Sequence, residues 1–269
     1  MAAESPESRA DALARLYDLD LSEDPGDLDL YLALAARVDG PIVELAVGTG
    51  RVAVPLVAAG HRVVGVDIDP AMLARAAERA RNAGSAAAKR LVLVEGDLVD
   101  AEVAGEGTFG LAILALNSVL LLAERGRQRR AFRRMHELLA PGGIAVVDAW
   151  LPGADDLSRF DGRLSLEWLR TDPETGREVT KMAAAWYDAG SRLVTLRTLF
   201  EEADPGSSPV RWTRSDALRL IGPDELRDHA EDADLEVESL AGDYDLSPFG
   251  LGSDRAILIV RRPGRPGSP

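Results

Sequence analysis

Acidic residues and glycines stand at the ends of short apolar runs, with a spacing suited to binding a nucleoside cofactor. Gly48 and Gly50 directly follow an apolar run that contains Glu44, and a helical pattern begins after them. A glycine turn between a strand and a helix brings backbone N–H groups close to a ligand. Asp67 ends the next apolar run, where a carboxylate can bind ribose hydroxyls, and Asp97 ends the third. We therefore expect these residues to share one crevice at the carboxyl edge of a parallel sheet.

The glycine turn alone fits two classes of cofactor. Gly48, Gly50 and Ala53 match the dinucleotide-binding spacing, which keeps a nicotinamide cofactor open. Glu44 lies four residues before the turn, where an acid suits an ammonium group better than a diphosphate. Asp97 can accept a hydrogen bond from an exocyclic amine, and the chain closes with a strand pair instead of a second nucleotide-binding half. These three features favour S-adenosylmethionine, which carries an α-ammonium, a ribose diol, an adenine amine and a sulfonium.

The elements that must position these residues alternate between strands and helices up to residue 150. Two helical patterns come first, and the strand–helix alternation that follows predicts a parallel sheet. After residue 150, strands joined by tight turns predict an inserted antiparallel sheet, and a helix and two strands complete the chain. The predicted fold class is α/β, a Rossmann-like, doubly wound seven-stranded sheet with a C-terminal antiparallel strand. We divide the chain into an N-terminal helical lid (1–40), a cofactor-binding core (41–150), an antiparallel insertion (151–222), the last helix and strands of the core (223–262) and a disordered tail (263–269).

Composition restricts the partners and the chemistry. The chain has 269 residues, 46% of them hydrophobic, which suffices for one large α/β domain with an insertion. Its formal net charge of −14 would repel nucleic acid and anionic lipid, so we expect a small-molecule partner. The sequence has no cysteine, and its histidines (His61, His136 and His229) match no metal motif, so we expect no metal. The N-terminus lacks the pattern of a secretory signal, and no apolar run is long enough to cross a membrane, so we expect a cytoplasmic protein. We also expect a monomer or a homodimer.

In order and spacing, the segments VELAVGTGR, VVGVDIDPAML, EGDLVD, FGLAILALN and LLAPGG resemble the successive motifs of class I S-adenosylmethionine-dependent methyltransferases. The resemblance covers roughly residues 13–150 and the last strands. The family usually has glycine at position 46, and Ala46 narrows the loop slightly. The resemblance implies a cofactor site formed by the glycine turn, the neighbouring strand ends and the residues that flank the adenine: Glu44, Ala46, Gly48, Thr49, Gly50, Arg51, Asp67, Ile68, Met72, Gly96, Asp97, Leu98 and Leu116.

The resemblance also points to residues near the reacting groups. Asn117, at the end of the fourth strand, would orient the acceptor or contact the methyl donor, and its alternative role is that of a strand-end amide. Tyr17 looks like the aromatic residue that the lids of small-molecule enzymes in this family lay across the cofactor. The inserted sheet would roof the acceptor pocket, whose walls would be drawn from Trp150, Trp186, Tyr187, Arg197, Arg211, Trp212 and Tyr244. For each of these residues the alternative is core packing or a solvated face.

The predicted activity is methyl transfer from S-adenosylmethionine to nitrogen, oxygen or carbon of a small molecule, by in-line displacement that depends mainly on proximity. A neutral amine needs no general base, and none is evident in the sequence. We interpret the three histidines as structural or solvated, and the arginines between residues 125 and 134 as the surface of a solvated helix. The alternatives are a nicotinamide-dependent oxidoreductase, a non-catalytic S-adenosylmethionine-binding protein, and an enzyme that keeps the donor as a charged scaffold for cyclisation or rearrangement.

Overall fold

A seven-stranded sheet forms the centre of the computed structural model, which describes residues 7–23, 25–203 and 208–264. Its spatial order is β10-β11-β5-β4-β1-β2-β3. The strands β1 to β5 pair in parallel, and β11 runs antiparallel to both of its neighbours. The order reverses between β1 and β4, which leaves a crevice at the carboxyl ends of these strands. The strands are β1 (Ile42–Leu45), β2 (Val63–Asp67), β3 (Leu91–Glu95), β4 (Phe109–Leu114), β5 (Leu139–Trp150), β10 (Glu236–Ala241) and β11 (Arg255–Arg261).

Helices cover both faces of this sheet, so its central strands are apolar throughout. Every residue of β1 and β4 is buried, as expected for parallel strands between two helical layers. The helix α4 starts at Asp69, whose side chain accepts a hydrogen bond from the N–H of Ala71 (2.9 Å). The helices are α1 (Arg9–Asp20), α2 (Leu28–Ala35), α3 (Ala53–Ala58), α4 (Pro70–Asn82), α5 (Ser85–Ala88), α6 (Arg125–Leu138), α7 (Ala154–Arg159) and α8 (Pro223–Glu231), with a 3₁₀ turn at Leu120–Leu122.

A separate four-stranded sheet lies between α7 and α8 in the chain. Its strands, β6 (Ser165–Thr171), β7 (Glu178–Asp188), β8 (Leu193–Ala203) and β9 (Val210–Arg219), pair in that order, and all pairs are antiparallel. The predicted fold class is therefore confirmed, including the inserted antiparallel sheet. We call this element the insertion sheet.

The helix α1 joins the core to the insertion sheet through ion pairs. Arg15 is 4% exposed and donates hydrogen bonds to Asp172 and to Glu202 (2.8 Å), both in or beside the insertion sheet. On the core side, the carboxylate of Asp18 accepts hydrogen bonds from Thr49 (2.6 Å), Arg75 (2.7 Å) and Arg79 (2.8 Å). The position of α1 is thus set by both layers.

The fifth strand begins earlier than the sequence indicates. Residues 141–143 are expected to form a turn before a strand that starts at residue 144, yet β5 already begins at Leu139, which pairs with Phe109. Gly142 adopts a φ of 83°, and its N–H donates to the carbonyl oxygen of Arg262 (2.8 Å), so the turn residues continue the strand as an irregular segment. The short helices α5 and α7 were not predicted. Of the predicted tail, residues 265–269 lie outside the described part of the chain.

No helix in the described residues combines the length and apolar character that spanning a bilayer requires.

Candidate active site

A cleft of about 440 Å³ opens at the carboxyl ends of β1, β2 and β3, beneath α1. Its walls bring together residues from the glycine turn, from the end of β2 and from the segment after β3. Of the predicted cofactor residues, those that line the cleft are Ala46, Gly48, Asp67, Ile68, Met72, Gly96, Asp97 and Leu98. Residues far apart in the chain therefore converge on one cavity, as the strand-end pattern predicts.

The glycine turn has a left-handed backbone that leaves room for a ligand. Gly48 has a φ of 53°, and a Cβ placed there would come no closer than 3.9 Å to the ring of Tyr17. Gly50, at a φ of 78°, packs so tightly that its Cβ would lie 3.1 Å from Ala76. Ala46 has a φ of 59°, a conformation that costs a residue with a Cβ roughly 1–2 kcal/mol. Gly48 thus faces the cleft, whereas Gly50 holds the turn against α4.

The carboxylate of Asp67 is fixed by backbone groups at the rim of the cleft. It accepts hydrogen bonds from the N–H of Gly48 (2.8 Å) and from the N–H of Asp69 (2.9 Å). Burial raises the pKa of Asp67, while these hydrogen bonds favour its ionised form. Each carboxylate oxygen can accept a further hydrogen bond, so this group suits a vicinal diol.

Glu44 is a buried acid that lacks a partner for one oxygen. It is 3% exposed, and its Oε2 atom has no hydrogen-bond partner among the described residues. Burial raises the pKa of Glu44 to about 8, and Arg51 opposes this shift only in part. Glu44 lies in β1, next to the turn, and is not among the residues that line the cleft. An unpaired buried carboxylate beside the turn fits a cationic ligand group such as an ammonium.

Asp97 is paired with an arginine that the sequence reading assigned to a solvated surface. Its carboxylate accepts a hydrogen bond from Arg127 (2.6 Å) and another from the N–H of Val99 (3.1 Å). Although burial opposes ionisation, these hydrogen bonds hold the pKa of Asp97 below its ordinary value. Arg127 itself lines the cleft, and Arg134, on the same helix, is only 8% exposed. The interpretation of the arginine run as a solvated surface is wrong for Arg134, which is buried, and incomplete for Arg127, whose side chain is 33% exposed but borders the cleft.

Three of the residues predicted to flank the adenine line the cleft with apolar side chains. Ile68 is 68% exposed although it is large and apolar, whereas Met72 is 9% exposed and packs against α1. Leu98 also lines the cleft. An adenine ring between these residues would cover apolar surface that is otherwise in water.

Thr49 and Arg51 support the turn from outside the cleft. The hydroxyl of Thr49 donates to Asp18, as described above, and Arg51 makes two hydrogen bonds of 2.6 Å to the buried carboxylate of Asp27. Arg51 also lies within electrostatic range of Glu44. These residues tie the turn to α1 and to the start of α2.

A second cavity of about 220 Å³ adjoins the cleft, and we call it the acceptor chamber after the role that the sequence predicts for this region. It shares Leu13, Tyr17, Leu121 and Arg214 with the cleft, so Tyr17 stands where the two cavities meet. Its remaining walls come from the end of β4 and from one face of the insertion sheet, and are formed by Asp20, Leu116, Asn117, Lys181, Leu196, Thr198, Phe200, Asp216 and Leu218.

The end of β4 turns sharply into the acceptor chamber. Leu116 and Asn117 have φ values of 46° and 65°, a strained conformation for residues with a side chain. The side-chain oxygen of Asn117 accepts a hydrogen bond from the N–H of Trp150 (2.5 Å), and its own N–H donates to the carbonyl oxygen of Asp148 (3.2 Å). With its oxygen engaged in this way, Asn117 has its amide NH₂ group left for the chamber.

The structure places the aromatic and arginine residues predicted for the acceptor site away from both cavities. Arg197 and Trp186 stack at 5.4 Å on the outer face of the insertion sheet, and Arg211 pairs there with Glu201. Trp212 faces the inner side but donates to Glu202 (2.7 Å) under α1. The remaining residues, Trp150, Tyr187 and Tyr244, are absent from the walls of the cleft and the chamber, and Tyr244 donates to Asp148 (2.7 Å). Composition alone could not give the alternation that turns Arg197 outward and Thr198 inward.

The histidines also lie outside both cavities. His229 is 1% exposed and packs edge-on against Phe132, and burial lowers its pKa. His136 lies on α6, and His61 precedes β2. The candidate site therefore contains no imidazole from the described residues.

The amino-acid sequence is also similar to sequences of known proteins. Residues 42–143 match the model of a family described as a methyltransferase domain. The cypemycin N-terminal methyltransferase of a Streptomyces species is 25% identical over 229 residues, which are 82% of this chain and 82% of that protein.

Solved structures share the architecture over nearly the whole chain. The CcbJ methyltransferase from Streptomyces caelestis has a TM-score of 0.75 and 24% identity, and the match covers 97% of this chain and 100% of that one. The sugar N-methyltransferase KedS8 from a Streptoalloteichus species has a TM-score of 0.72 and 21% identity, and the match covers 98% and 99% of the two chains.

The sheet order, the antiparallel β11 and the cleft at the reversal of strand order define a Rossmann-like nucleoside-binding enzyme fold. Together with the domain match, they indicate that residues 42–143 form a methyltransferase domain on this fold. The predicted fold class and the predicted methyltransferase class agree with these matches.

Proposed function

We propose that the enzyme methylates an amine nitrogen of a small molecule held in the acceptor chamber. The observation that carries this proposal is the chamber itself, which adjoins the donor cleft at Tyr17 and combines leucine walls with Asp216, whose carboxylate contacts only Arg214 among the described residues. Two of the proteins compared above are named as an N-terminal methyltransferase and a sugar N-methyltransferase. Carboxylates suit a nitrogen nucleophile because they accept its N–H groups.

The residues of the cleft fit the methyl donor. Asp67 would bind the ribose hydroxyls, and the adenine would lie against Ile68, Met72 and Leu98. Glu44 would bind the α-ammonium, because one of its oxygens has no partner among the described residues. Asp97 would accept from the adenine amine beside its bond to Arg127. When bound, S-adenosylmethionine supplies an activated methyl group on a positively charged sulfur.

The chain's own contribution is placement and the exclusion of water. Holding two reactants in line can lower a barrier by about 7–11 kcal/mol, and this requires both to be fixed. Tyr17 would separate bulk water from the contact between the cavities, and Asn117 would donate its NH₂ group at the same place. A neutral amine needs no strong base to attack, which agrees with a site without histidine.

We further propose the roles of the segments around the core. Residues 1–40 would form a lid, since α1 covers the cleft, and residues 151–222 would form the roof of the acceptor chamber. The ion pairs of α1 with both layers support this division.

Mass spectrometry with donor labelled in its methyl group tests the proposal. The protein is incubated with matched sets of primary amines, alcohols, phenols and activated carbon acids, and the products are fragmented to locate the label. We expect methyl incorporation on nitrogen only. Methylated alcohols, phenols or carbon acids without N-methyl products would overturn it, and the variant Asp67→Ala should reduce incorporation from every set.

A further inference from the structure

One face of the insertion sheet presents polar side chains to the acceptor chamber. Arg214 and Asp216 lie two residues apart on β9, so strand alternation places them on the same face. Thr198 on β8 stands directly opposite Arg214 in the register of the two strands. These three residues are neighbours in a wall whose other members from the insertion sheet are Lys181, Phe200 and two leucines.

The two carboxylates of the chamber differ in the number of hydrogen-bond donors that they already contact. Asp20 accepts hydrogen bonds from the ammonium of Lys181 through both oxygens (2.8 and 2.7 Å) and from the indole N–H of Trp168 (2.8 Å). Asp216, with a side chain 17% exposed, contacts only the Nε atom of Arg214 among the described residues (2.9 and 2.8 Å). Asp216 therefore retains the capacity to accept hydrogen bonds from a ligand, whereas Asp20 has little left.

The guanidinium of Arg214 has donors to spare. Within the described residues its bonds run through Nε to Asp216, and its two terminal nitrogens have no hydrogen-bond partner. Arg214 lines both the donor cleft and the acceptor chamber, so these free N–H groups lie where the cavities meet. A hydrogen-bond donor and an acceptor thus stand side by side in the wall of the acceptor chamber, next to the donor cleft.

We infer that Arg214 and Asp216 bind the acceptor, and that the acceptor class is an amine with an oxygen on the adjacent carbon, a vicinal amino alcohol. Asp216 accepts an N–H of the amine, and Arg214 donates to the neighbouring oxygen. Because the two protein groups are bonded to each other, they match two ligand groups that are close together. This assignment rests on the proposed N-methylation.

The pair orients the nitrogen without taking part in bond making. In the transfer, the amine nitrogen forms a bond to the methyl carbon, the carbon–sulfur bond breaks with its electron pair on sulfur, and the nitrogen releases a proton to solvent. Asp216 holds an N–H throughout, which leaves the nitrogen lone pair free to face the donor cleft.

Calorimetric titration of the S-adenosylhomocysteine-saturated protein tests the assignment with three probes: trans-2-aminocyclohexanol, cyclohexylamine and cyclohexanol. We expect the amino alcohol to bind at least roughly tenfold more tightly than either single-function probe, since hydrogen bonds to charged groups are the stronger ones. Asp216→Asn should reduce its affinity to about that of cyclohexanol, and Arg214→Gln to about that of cyclohexylamine. Glu201→Gln is the matched control, because it removes the same charge from the outer face of the same sheet, and it should behave as the wild type.

The outcomes separate this inference from the proposals beneath it. Equal affinity of the three probes, no binding of any, or a preference that survives in Asp216→Asn overturns the inference. Failure of S-adenosylhomocysteine to bind would instead refute the donor site, and O- or C-methyl products would refute N-methylation. Should Asp216→Asn lose its fold by circular dichroism, Asp216→Glu and Arg214→Gln provide the comparison, and a preference for the amino alcohol that survives in Arg214→Gln overturns the inference.

Discussion

Glu44 is the residue of the donor site whose charge state depends most on the ligand. Burial raises its pKa to about 8, so at neutral pH the free protein holds it mainly protonated. An ammonium group beside it would favour the ionised form. We therefore expect the binding of S-adenosylhomocysteine at about pH 7 to release a proton, and the affinity to increase as the pH rises towards 8.

Calorimetry in buffers with different protonation enthalpies measures this release directly. Glu44→Gln should abolish most of it, although Asp67, whose pKa burial also raises, can contribute a remainder. In the free protein the raised pKa of Glu44 makes the stability of the fold decrease as the pH rises, whereas ligand affinity increases. The unfolded carboxyl ionises near its ordinary value, so wild-type stability should fall between about pH 5 and 8 relative to Glu44→Gln. Identical binding heats in all buffers would show that Glu44 stays protonated in the complex.

Asp67 should contribute to donor affinity through two hydrogen bonds to the ribose. The variant Asp67→Ala removes a charged acceptor that the N–H groups of Gly48 and Asp69 hold in place. We expect binding of S-adenosylhomocysteine to weaken by roughly 1.5–3 kcal/mol, measured by calorimetry. Asp100→Ala, at an exposed acid after the neighbouring strand, is the control and should leave the affinity unchanged. Equal affinities of Asp67→Ala and wild type would contradict the assignment.

A site residue could be predicted where the sequence pattern determines its position in the fold. Gly48, Asp67 and Asp97 follow apolar runs, and strand ends must meet at one sheet edge, so their convergence was predictable. Arg214 and Asp216 were missed because they lie within a strand, where a one-residue change of register exchanges the two faces. The signal that could have found them is their two-residue spacing, since Arg214, Asp216 and Leu218 recur at the period of one strand face.

At the scale of elements, the attachment of α1 to the insertion sheet depends on the buried guanidinium of Arg15. The side chains of Arg15, Asp172 and Glu202 are 4%, 2% and 1% exposed. Replacing Arg15 with methionine leaves two buried carboxylates without this partner, which typically costs 3–5 kcal/mol. We expect Arg15→Met to lower the free energy of unfolding by roughly this amount in urea titrations.

Arg9→Met is the control for this prediction. Arg9 lies on the same helix and donates to the carbonyl oxygen of Thr213 (2.7 Å) at an exposed site. Such surface changes usually stay within about 0.5 kcal/mol. Equal losses in the two variants would mean that α1 is held by apolar packing instead of by the buried cation.

The elements themselves were mostly predictable, and the exceptions have local causes. The helix α4 has an N-cap acid, a proline at its first position and a regular apolar spacing. The start of β5 was misplaced because Gly142 continues a strand in a conformation that normally marks a turn. The helix α5 has four residues, too few for a periodic signal.

At the scale of the whole molecule, Tyr17 is the residue of α1 that lies between the core and the insertion sheet. Its ring contacts Ala14, Ala71 and Met72 and borders both the donor cleft and the acceptor chamber. Removing the ring would join the cavities and admit water to the contact between donor and acceptor. Because small displacements of reacting groups can cost about 10²-fold in rate, we expect Tyr17→Ala to lower kcat/KM by roughly that factor.

Tyr17→Phe separates the ring from its hydroxyl. It preserves the apolar contacts of the ring, so kcat/KM should stay within a few-fold of wild type if separation of the cavities is the role of this residue. Affinity for S-adenosylhomocysteine, measured for both variants, distinguishes a loss of donor binding from a loss of alignment. If Tyr17→Phe is as slow as Tyr17→Ala at saturating donor, the hydroxyl itself acts on the reacting groups. The contact between the ring and the core then serves only to position that hydroxyl.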